Sequence, residues 1–460
     1  MYGDKKLVLG FAPTRRRMYS EKPAHENRAG ILDRVKALLA CTDTDIELAD
    51  IDWLNEEGLL IDVEDVRRVE EHFRQAKVDA VFMPHCNFGS EEVVGKLGKA
   101  MGKPFLLWGP RDERPTQDRG IRQTDTQCGL FASSKALQRY GVPFTYIENC
   151  RLDDRAFETG LTDFLRVAAA VKSFSHLRIG QVSLRPKPFL SVMVNESELL
   201  EKFGIEVVPI TAAEMTGKTD DILKNRTNDI GERIADIKSK MDCSSMKDEQ
   251  MEKIAALELA FTDIAQKHEC DVMASECWTT FRTAYGVRPC FMFGDLIDRG
   301  LIVACETDIN GAATMAMLKA ASLGRGLPFL ADLTIRHPDN DNAELLWHCG
   351  PFPQALAKHP EKRELIGCTG YWELKGGDIT VARFDGCRGK YSLFAGLGKG
   401  VDGPTTNGNY VWVEVDDWVK WEKRFVYGPY IHHVACIHGN YAPILEEACK
   451  YIGDVEIDLP

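Results

Sequence analysis

Lys5-Lys-Leu-Val-Leu-Gly-Phe-Ala-Pro13 is an apolar run that stops in a Gly/Pro loop, and a helical stretch at residues 27–40 (NRAGILDRVKALLA) comes after it. Downstream the same alternation repeats. IELADID (46–52) reads as a strand and VEDVRRVEEHFRQA (63–76) as an amphipathic helix. DAVFMPH (79–85) is a buried strand, EEVVGKLGKAM (91–101) a helix and KPFLLWGP (103–110) another buried strand. Continuous apolar strands, each followed by a helix, predict a parallel sheet covered on both faces. Ligands of such sheets sit at the carboxyl ends of the strands. Those ends carry Thr14-Arg15-Arg16-Arg17, His85-Cys86-Asn87-Phe88-Gly89 and Trp108-Gly109-Pro110-Arg111.

The pattern begins again at LRIGQVSLRPKPF (177–189). IEVVPIT (205–211) is the next strand, residues 218–268 are a long polar helical region, and VMASECW (272–278) and LIVACETD (301–308) are later strands. A helix opens after Asp308 with Ala, Met and Leu at helical spacing. Beyond about residue 326 short β-rich runs separated by Gly, Asp, Asn and Thr take over (GDITVARFD, KYSLFAGL, YVWVEV), and the chain closes with an expected loop, helix and strand. The fold class is therefore α/β: two Rossmann-like parallel-sheet domains, residues 1–175 and 176–325, followed by a C-terminal antiparallel barrel or sandwich, residues 326–460.

The whole-chain properties agree. With 460 residues, 44% hydrophobic and 28% charged, the chain supports several cores. A net charge of −13 argues against nucleic acid and anionic membranes as partners. No apolar run is long enough to span a bilayer, and the apolar stretch near the N-terminus is too short for a signal peptide. Fourteen cysteines with no Cys-x-x-Cys pair read as reduced thiols, so a cytoplasmic location is expected.

Four segments of the last third present metal-ligand side chains beside a strand end or loop: Cys305-Glu306-Thr307-Asp308, Ala331-Asp332-Leu333, Trp347-His348-Cys349 and Ile431-His432-His433. Two carboxylates and two imidazoles suit Mn²⁺, Co²⁺ or Mg²⁺ better than a structural zinc. Taken singly the residues have plainer readings. Glu306 precedes a helix, where anions are favoured; Asp308 is a good N-cap; a lone histidine is commonly a hydrogen-bonded core residue.

The run ACETDINGAATMAMLKAASLGRGLPFLADL (304–333), then LLWHCGPFP (345–353) and GPYIHHVACIHGNY (428–441), resembles the L-fucose isomerase / L-arabinose isomerase family. FAPTRRRMYS, KPFLLWG and RIGQVSLRPKPF extend the resemblance over the whole chain, which is shorter than typical L-fucose isomerases. The resemblance implies Glu306, Asp332, His348 and His433 as ligands of Mn²⁺, with Glu306 and Asp332 also the acid and base of an ene-diol aldose–ketose isomerisation of a free sugar. It implies a homo-oligomer, hexameric or trimer-based, whose first domain completes a neighbour's site through Arg15 or Arg16 and through His85, Asn87 and Phe88. Here the chain departs from the fucose enzymes, because His85-Cys-Asn-Phe-Gly89 lacks their tryptophan, and the triple arginine would also suit an anionic sugar. Glu276, Trp278 and Trp412 are further candidates for sugar contact, and His432 and His438 for orienting the ligands. The alternatives are a non-catalytic sugar-binding protein and a metal-dependent aldolase or hydrolase on the same scaffold.

Overall fold

The computed structural model describes residues 6–42 and 44–460; Lys5, which opens the first apolar run, lies outside them. Two compact units divide between Lys172 and Ser173.

The first unit holds a five-stranded parallel sheet of β1 (Leu7–Phe11), β2 (Ile46–Ala49), β3 (Ala80–Pro84), β4 (Phe105–Trp108) and β5 (Thr145–Tyr146), in the order β2-β1-β3-β4-β5. The period-two geometry of a strand sends Leu7, Leu9 and Phe11 into one apolar cluster, with Ile31, Val35 and Phe157. Val8 enters the other cluster, with Val69, Phe73 and Leu97. Both faces are covered, which is why the strand reads as a continuous apolar run. The order reverses between β1 and β3, and there the two strands open into loops joined by hydrogen bonds from Thr14 N–H to Pro84 O and from Cys86 N–H to Thr14 O.

Arg15 follows β1 and is fully buried. Its guanidinium donates to both oxygens of Glu57, at 2.5 and 2.8 Å, and to Glu21 at 3.0 Å. Such a pair is costly to leave half-made, since an isolated buried charge is several kcal/mol uphill. Hydrogen bonding to Arg15 holds the Glu57 carboxyl down at about 2; burial opposes the shift and His25 adds to it.

In the second unit a four-stranded parallel sheet comprises β6 (Arg178–Val182), β7 (Glu206–Ile210), β8 (Val272–Ser275) and β9 (Val303–Cys305), ordered β7-β6-β8-β9. The polar helical region resolves into three helices, Ala212–Asn225, Thr227–Lys240 and Asp248–Lys267, because Arg226 leaves helical geometry at φ −123, ψ 44 and a second break precedes Asp248.

The same unit contains a nine-stranded sheet of β10 (Phe329–His337), β11 (Asn340–His348), β12 (Glu364–Ile366), β13 (Thr369–Glu373), β14 (Gly377–Cys387), β15 (Lys390–Val401), β16 (Asn409–Glu414), β17 (His433–His438) and β18 (Val455–Asp458). Pairing of β15 with β16 closes the ring β16-β11-β10-β17-β14-β15, every step antiparallel, so the C-terminal region is a closed barrel with β12–β13 and β18 attached outside. Closure removes the exposed edges an open sheet of this length would carry. The expected loop at His432-His433 is instead the start of β17, whose buried Val434–Ile437 run pairs on both sides. Among the described residues no helix is long and apolar enough to cross a membrane.

Glu57→Gln is expected to cost about 2 kcal/mol at pH 7, the depressed pKa discounted for a side chain 24% exposed. The contribution of a depressed carboxylate is present above its ordinary value and lost as pH falls through its folded one. The gap between variant and parent in chemical denaturation should therefore close between pH 5 and pH 2; a gap that does not change with pH would disprove the assignment.

Candidate active site

β9 ends at Cys305, and the next two residues turn sharply. Glu306 and Thr307 both lie in the left-handed region, at φ 60 and φ 59. Non-glycine residues there cost about 1–3 kcal/mol each and collect at functional sites. Asp308 then caps the helix Ile309–Ala321, its Oδ1 accepting the Gly311 N–H at 2.8 Å. The turn lifts the Glu306 carboxylate off the helix axis and toward the barrel.

The barrel supplies the other groups through its register. Asp332 of β10 pairs directly with His433 of β17 on one side and with Trp347 of β11, the neighbour of His348, on the other. His433 Nε2 lies 3.2 Å from Glu306 Oε2 and 3.7 Å from Asp332 Oδ1, and its Nδ1 lies 3.0 Å from Asp308 Oδ2. His348 is buried; its Nδ1 accepts the Cys349 N–H at 2.8 Å. Trp278 donates its indole N–H to Glu306 Oε1 at 2.9 Å and packs edge-on against Phe189, with ring centroids 5.0 Å apart. Single ligand atoms of Asp332, His432 and His433 lie within 4.8 Å of one another, so His432, expected only to orient ligands, stands among the donors.

The carboxylates and imidazoles of this group shift one another's proton affinity. Burial alone would depress both imidazoles. Cys349, Asp332 and Glu306 instead push His348 up to about 9, and hydrogen bonds to Asp308 and Glu306 push His433 up to about 10. Burial acts to raise Glu306, but the His433 hydrogen bond and the field of His348 hold it below its ordinary value. His348 Nε2 and Asp332 Oδ1 are buried without a hydrogen-bond partner, and His433 Nε2 meets only the Glu306 and Asp332 carboxylates. Buried polar atoms are nearly always satisfied, so these atoms are candidates for holding a ligand. The donors are carboxylate oxygens and imidazole nitrogens, which suit a borderline or hard divalent cation.

A buried network supports the group. Arg383 is fully buried, pairs with Asp308, and donates to Asp385 Oδ2 at 2.7 and 2.9 Å. Asn310 Nδ2 donates to Asp385 Oδ1 at 3.0 Å. Burial raises Asp308, but the fields of Arg383 and His433 outweigh it and leave the carboxyl well below the usual range. The sequence signal for this network is an arginine inside the apolar run GDITVARFD, where a lone charge would be untenable.

The remaining candidates divide. Glu276 is buried with its oxygens taken by Thr279 N–H, Thr279 Oγ1 and Thr280 N–H at the start of the helix Thr280–Tyr285. Trp412 is buried with Leu345 and Tyr410, donates to Pro404 O at 2.9 Å and does not join the group around Glu306. His438 bonds Lys375 O at 2.8 Å. In the first unit Arg15 is occupied by Glu57 and Glu21. Arg16 lies over the Phe88 ring at 4.1 Å, and Tyr19 stacks on the same ring at 5.4 Å. Asn87 Oδ1 accepts the Arg16 N–H at 2.8 Å, and His85, bonded to Phe88 O, is driven down to about 4 by burial and is neutral.

Residues 10–175 match the family described as fucose/sulfoquinovose isomerase, N-terminal domain. A sulfoquinovose isomerase of Priestia aryabhattai is 25% identical over 382 residues, covering 78% of this chain and 83% of that protein. Another, of Alkalicoccus urumqiensis, is 24% identical over 335 residues, covering 71% and 73%. A third, of Clostridium sp. (strain MSTE9), is 23% identical over 279 residues, covering 60% and 61%. These relatives place the chain among the sugar isomerases, enzymes that interconvert aldoses and ketoses. The chain is thus similar to the fucose/sulfoquinovose isomerases, through the family model over residues 10–175 and through these relatives over most of its length.

Gly311 is where the Asp308 cap is most exposed to disturbance. A Cβ there would meet Asp308 Oδ2 at 2.7 Å and Leu330 Cδ1 at 2.9 Å. Alanine is the better helix former by about 1 kcal/mol, yet overpacking costs about 1–3 kcal/mol. Gly311→Ala is therefore expected to lower thermal stability; a raised melting temperature would show that the cap has slack.

Proposed function

We propose that this chain is a divalent-metal-dependent aldose–ketose isomerase that acts by an ene-diol route, with sulfoquinovose as the first substrate to test. The observation that supports the reading is the meeting of Glu306 and Asp332 at His433, with buried His348 on the strand beside Asp332 and unpartnered atoms on both Asp332 and His348. The substrate rests on the relatives, which bear that name over most of their length.

Glu306, Asp332, His348 and His433 would hold the cation, with His432 close enough to join, and Mn²⁺ is the ion we expect, Co²⁺ or Mg²⁺ the alternatives. When bound, the ion polarises the sugar's carbonyl and stabilises negative charge developing on its oxygens. The chain's own residues do the rest. Glu306 and Asp332 are the carboxylates of the site, and isomerisation needs a base to take a proton from the carbon beside the carbonyl and an acid–base group to serve the oxygens. Trp278 fixes Glu306 through Oε1 and leaves Oε2 directed at the group. Its half-exposed ring offers an apolar face for the sugar. Asp308 holds His433 through Nδ1, so that Nε2 faces the donors.

The reading includes a homo-oligomer in which the Arg16–Phe88 face of one copy serves the site of another. Exposed Met18 and Phe131 in the first unit support an apolar contact there. Fourteen free cysteines suit a reducing compartment, and we place the activity in the cytoplasm.

Glu306→Gln and Asp332→Asn are each expected to cut turnover by at least about a hundredfold with the fold retained, since general acid–base groups contribute on that scale. Chelation should remove activity and Mn²⁺ restore it. With sulfoquinovose in deuterated water, C2 hydrogen should exchange and a ketose accumulate without carbon–carbon cleavage. Near-native turnover of Glu306→Gln would end the acid–base assignment; cleavage products would transfer the chain to the aldolase class.

A further inference from the structure

Four segments of the second unit each deliver a thiol to one row. Cys305 ends β9 beside Glu306, Cys277 precedes Trp278, Cys290 opens the helix Cys290–Asp298, and Cys349 follows His348. Cys305 Sγ lies 3.4 Å from Cys277 Sγ and Cys290 Sγ 3.3 Å from Cys349 Sγ. All four are free; three are buried and Cys349 is partly exposed, so Cys349 is where a small solute arrives. The row does not close into a metal cage. Among the described residues, Asp332, His432 and His433 are the only set with three ligand atoms all within 4.8 Å, so no three of these sulfurs meet around one point.

We propose that Cys349 and Cys290 form an oxidation-sensitive pair which hydrogen peroxide converts to a disulfide, and that the bond disables the neighbouring site. Cys349 Sγ attacks the peroxide, the O–O bond breaks, one oxygen stays as a sulfenic acid and the other leaves as water. Cys290 Sγ then attacks Cys349 Sγ, the S–S bond forms, the S–O bond breaks and a second water leaves. Two thiols thereby lose two electrons and two protons, and the peroxide is reduced to two waters. The sulfurs close from 3.3 Å to about 2.05 Å. That pull falls on Cys349, whose N–H orients His348 through Nδ1 at 2.8 Å. A dithiol reductant returns both sulfurs to thiols.

The test treats the reduced full chain with hydrogen peroxide, blocks remaining thiols and maps peptides without reduction. The expected product is a Cys290–Cys349 cross-link, with isomerase turnover down about tenfold or more, the scale seen when a ligand's supporting contact is lost, and recovery on dithiothreitol. Cys290→Ala should give no cross-link and should turn the reversible loss into an irreversible one, with sulfinic acid on Cys349. Cys387→Ala, an exposed thiol elsewhere, should behave as the parent. Cys349 and Cys290 remaining free while exposed Cys41, Cys128 and Cys387 are oxidised would overturn the proposal, as would sulfinic acid on Cys349 of the parent without a cross-link. A cross-link with undiminished turnover would overturn its regulatory half. Only the turnover arm rests on the isomerase reading; the mapping reads the bond whether or not any sugar is turned over.

Discussion

The Asp308 carboxylate is the point on which the second unit's chemistry turns. One oxygen caps the helix after β9; the other takes both the Arg383 guanidinium from β14 and His433 Nδ1 from β17. A buried carboxylate with a single partner would be strongly unfavourable, and one with an arginine, a histidine and a backbone N–H is not. The same three contacts tie the parallel sheet's last strand to two barrel strands. They also settle which nitrogen of His433 is spoken for: Nδ1 faces Asp308, so Nε2 is the atom left toward Glu306 and Asp332. Fixing a ligand's ring in this way is what outer hydrogen-bond partners of metal-binding histidines do.

The two left-handed residues before Asp308 make sense against that anchor. Thr307 N–H bonds Ser275 O at 3.1 Å and Asp308 N–H bonds Cys305 O at 3.2 Å, so the strained turn is held from both sides. Were Glu306 simply continuing into the helix, its carboxylate would lie along the first turn, where the plain reading of the sequence places it. The positive φ values take it out of that role. Strain of this kind survives where the surroundings over-determine it, and here they do so through backbone hydrogen bonds and a capped, buried helix start.

Much of the fold could be read in the chain because both parallel sheets are buried on two faces and announce themselves as apolar runs. Residues whose surroundings are built by distant segments were harder. Asp332 and His433 are direct cross-strand partners, but their register depends on a barrel that closes only when β15 meets β16. The helix Trp418–Tyr427 was signalled only by Asp417, whose side chain accepts the Lys420 N–H, and by apolar Trp418 and Trp421 three residues apart. Glu276 and Glu306 look alike in sequence, each a carboxylate just past a buried strand. Their fates differ because of the residues on their C-terminal side. The chain after Glu276 folds its own N–H groups onto the carboxylate, whereas Asp308 takes that task after β9 and frees Glu306.

That division of labour also fixes the charge of the centre. Arg383 stands against Asp308 and Asp385 and is consumed by them. Among the described residues the ion pairs of Glu306 and Asp332 are with histidine alone. Two carboxylates therefore face a space in which neither lysine nor arginine compensates them, and both nearby imidazoles respond by holding protons more tightly than usual. On the reading proposed above, a divalent cation would supply two charges in one ion and would take the imidazole nitrogens as ligands in place of those protons. A monovalent cation would leave a charge uncompensated, and a soft ion would find oxygen and nitrogen where it favours sulfur. The thiols that would suit such an ion lie instead in two hydrogen-bonded pairs, Cys277 with Cys305 and Cys290 with Cys349.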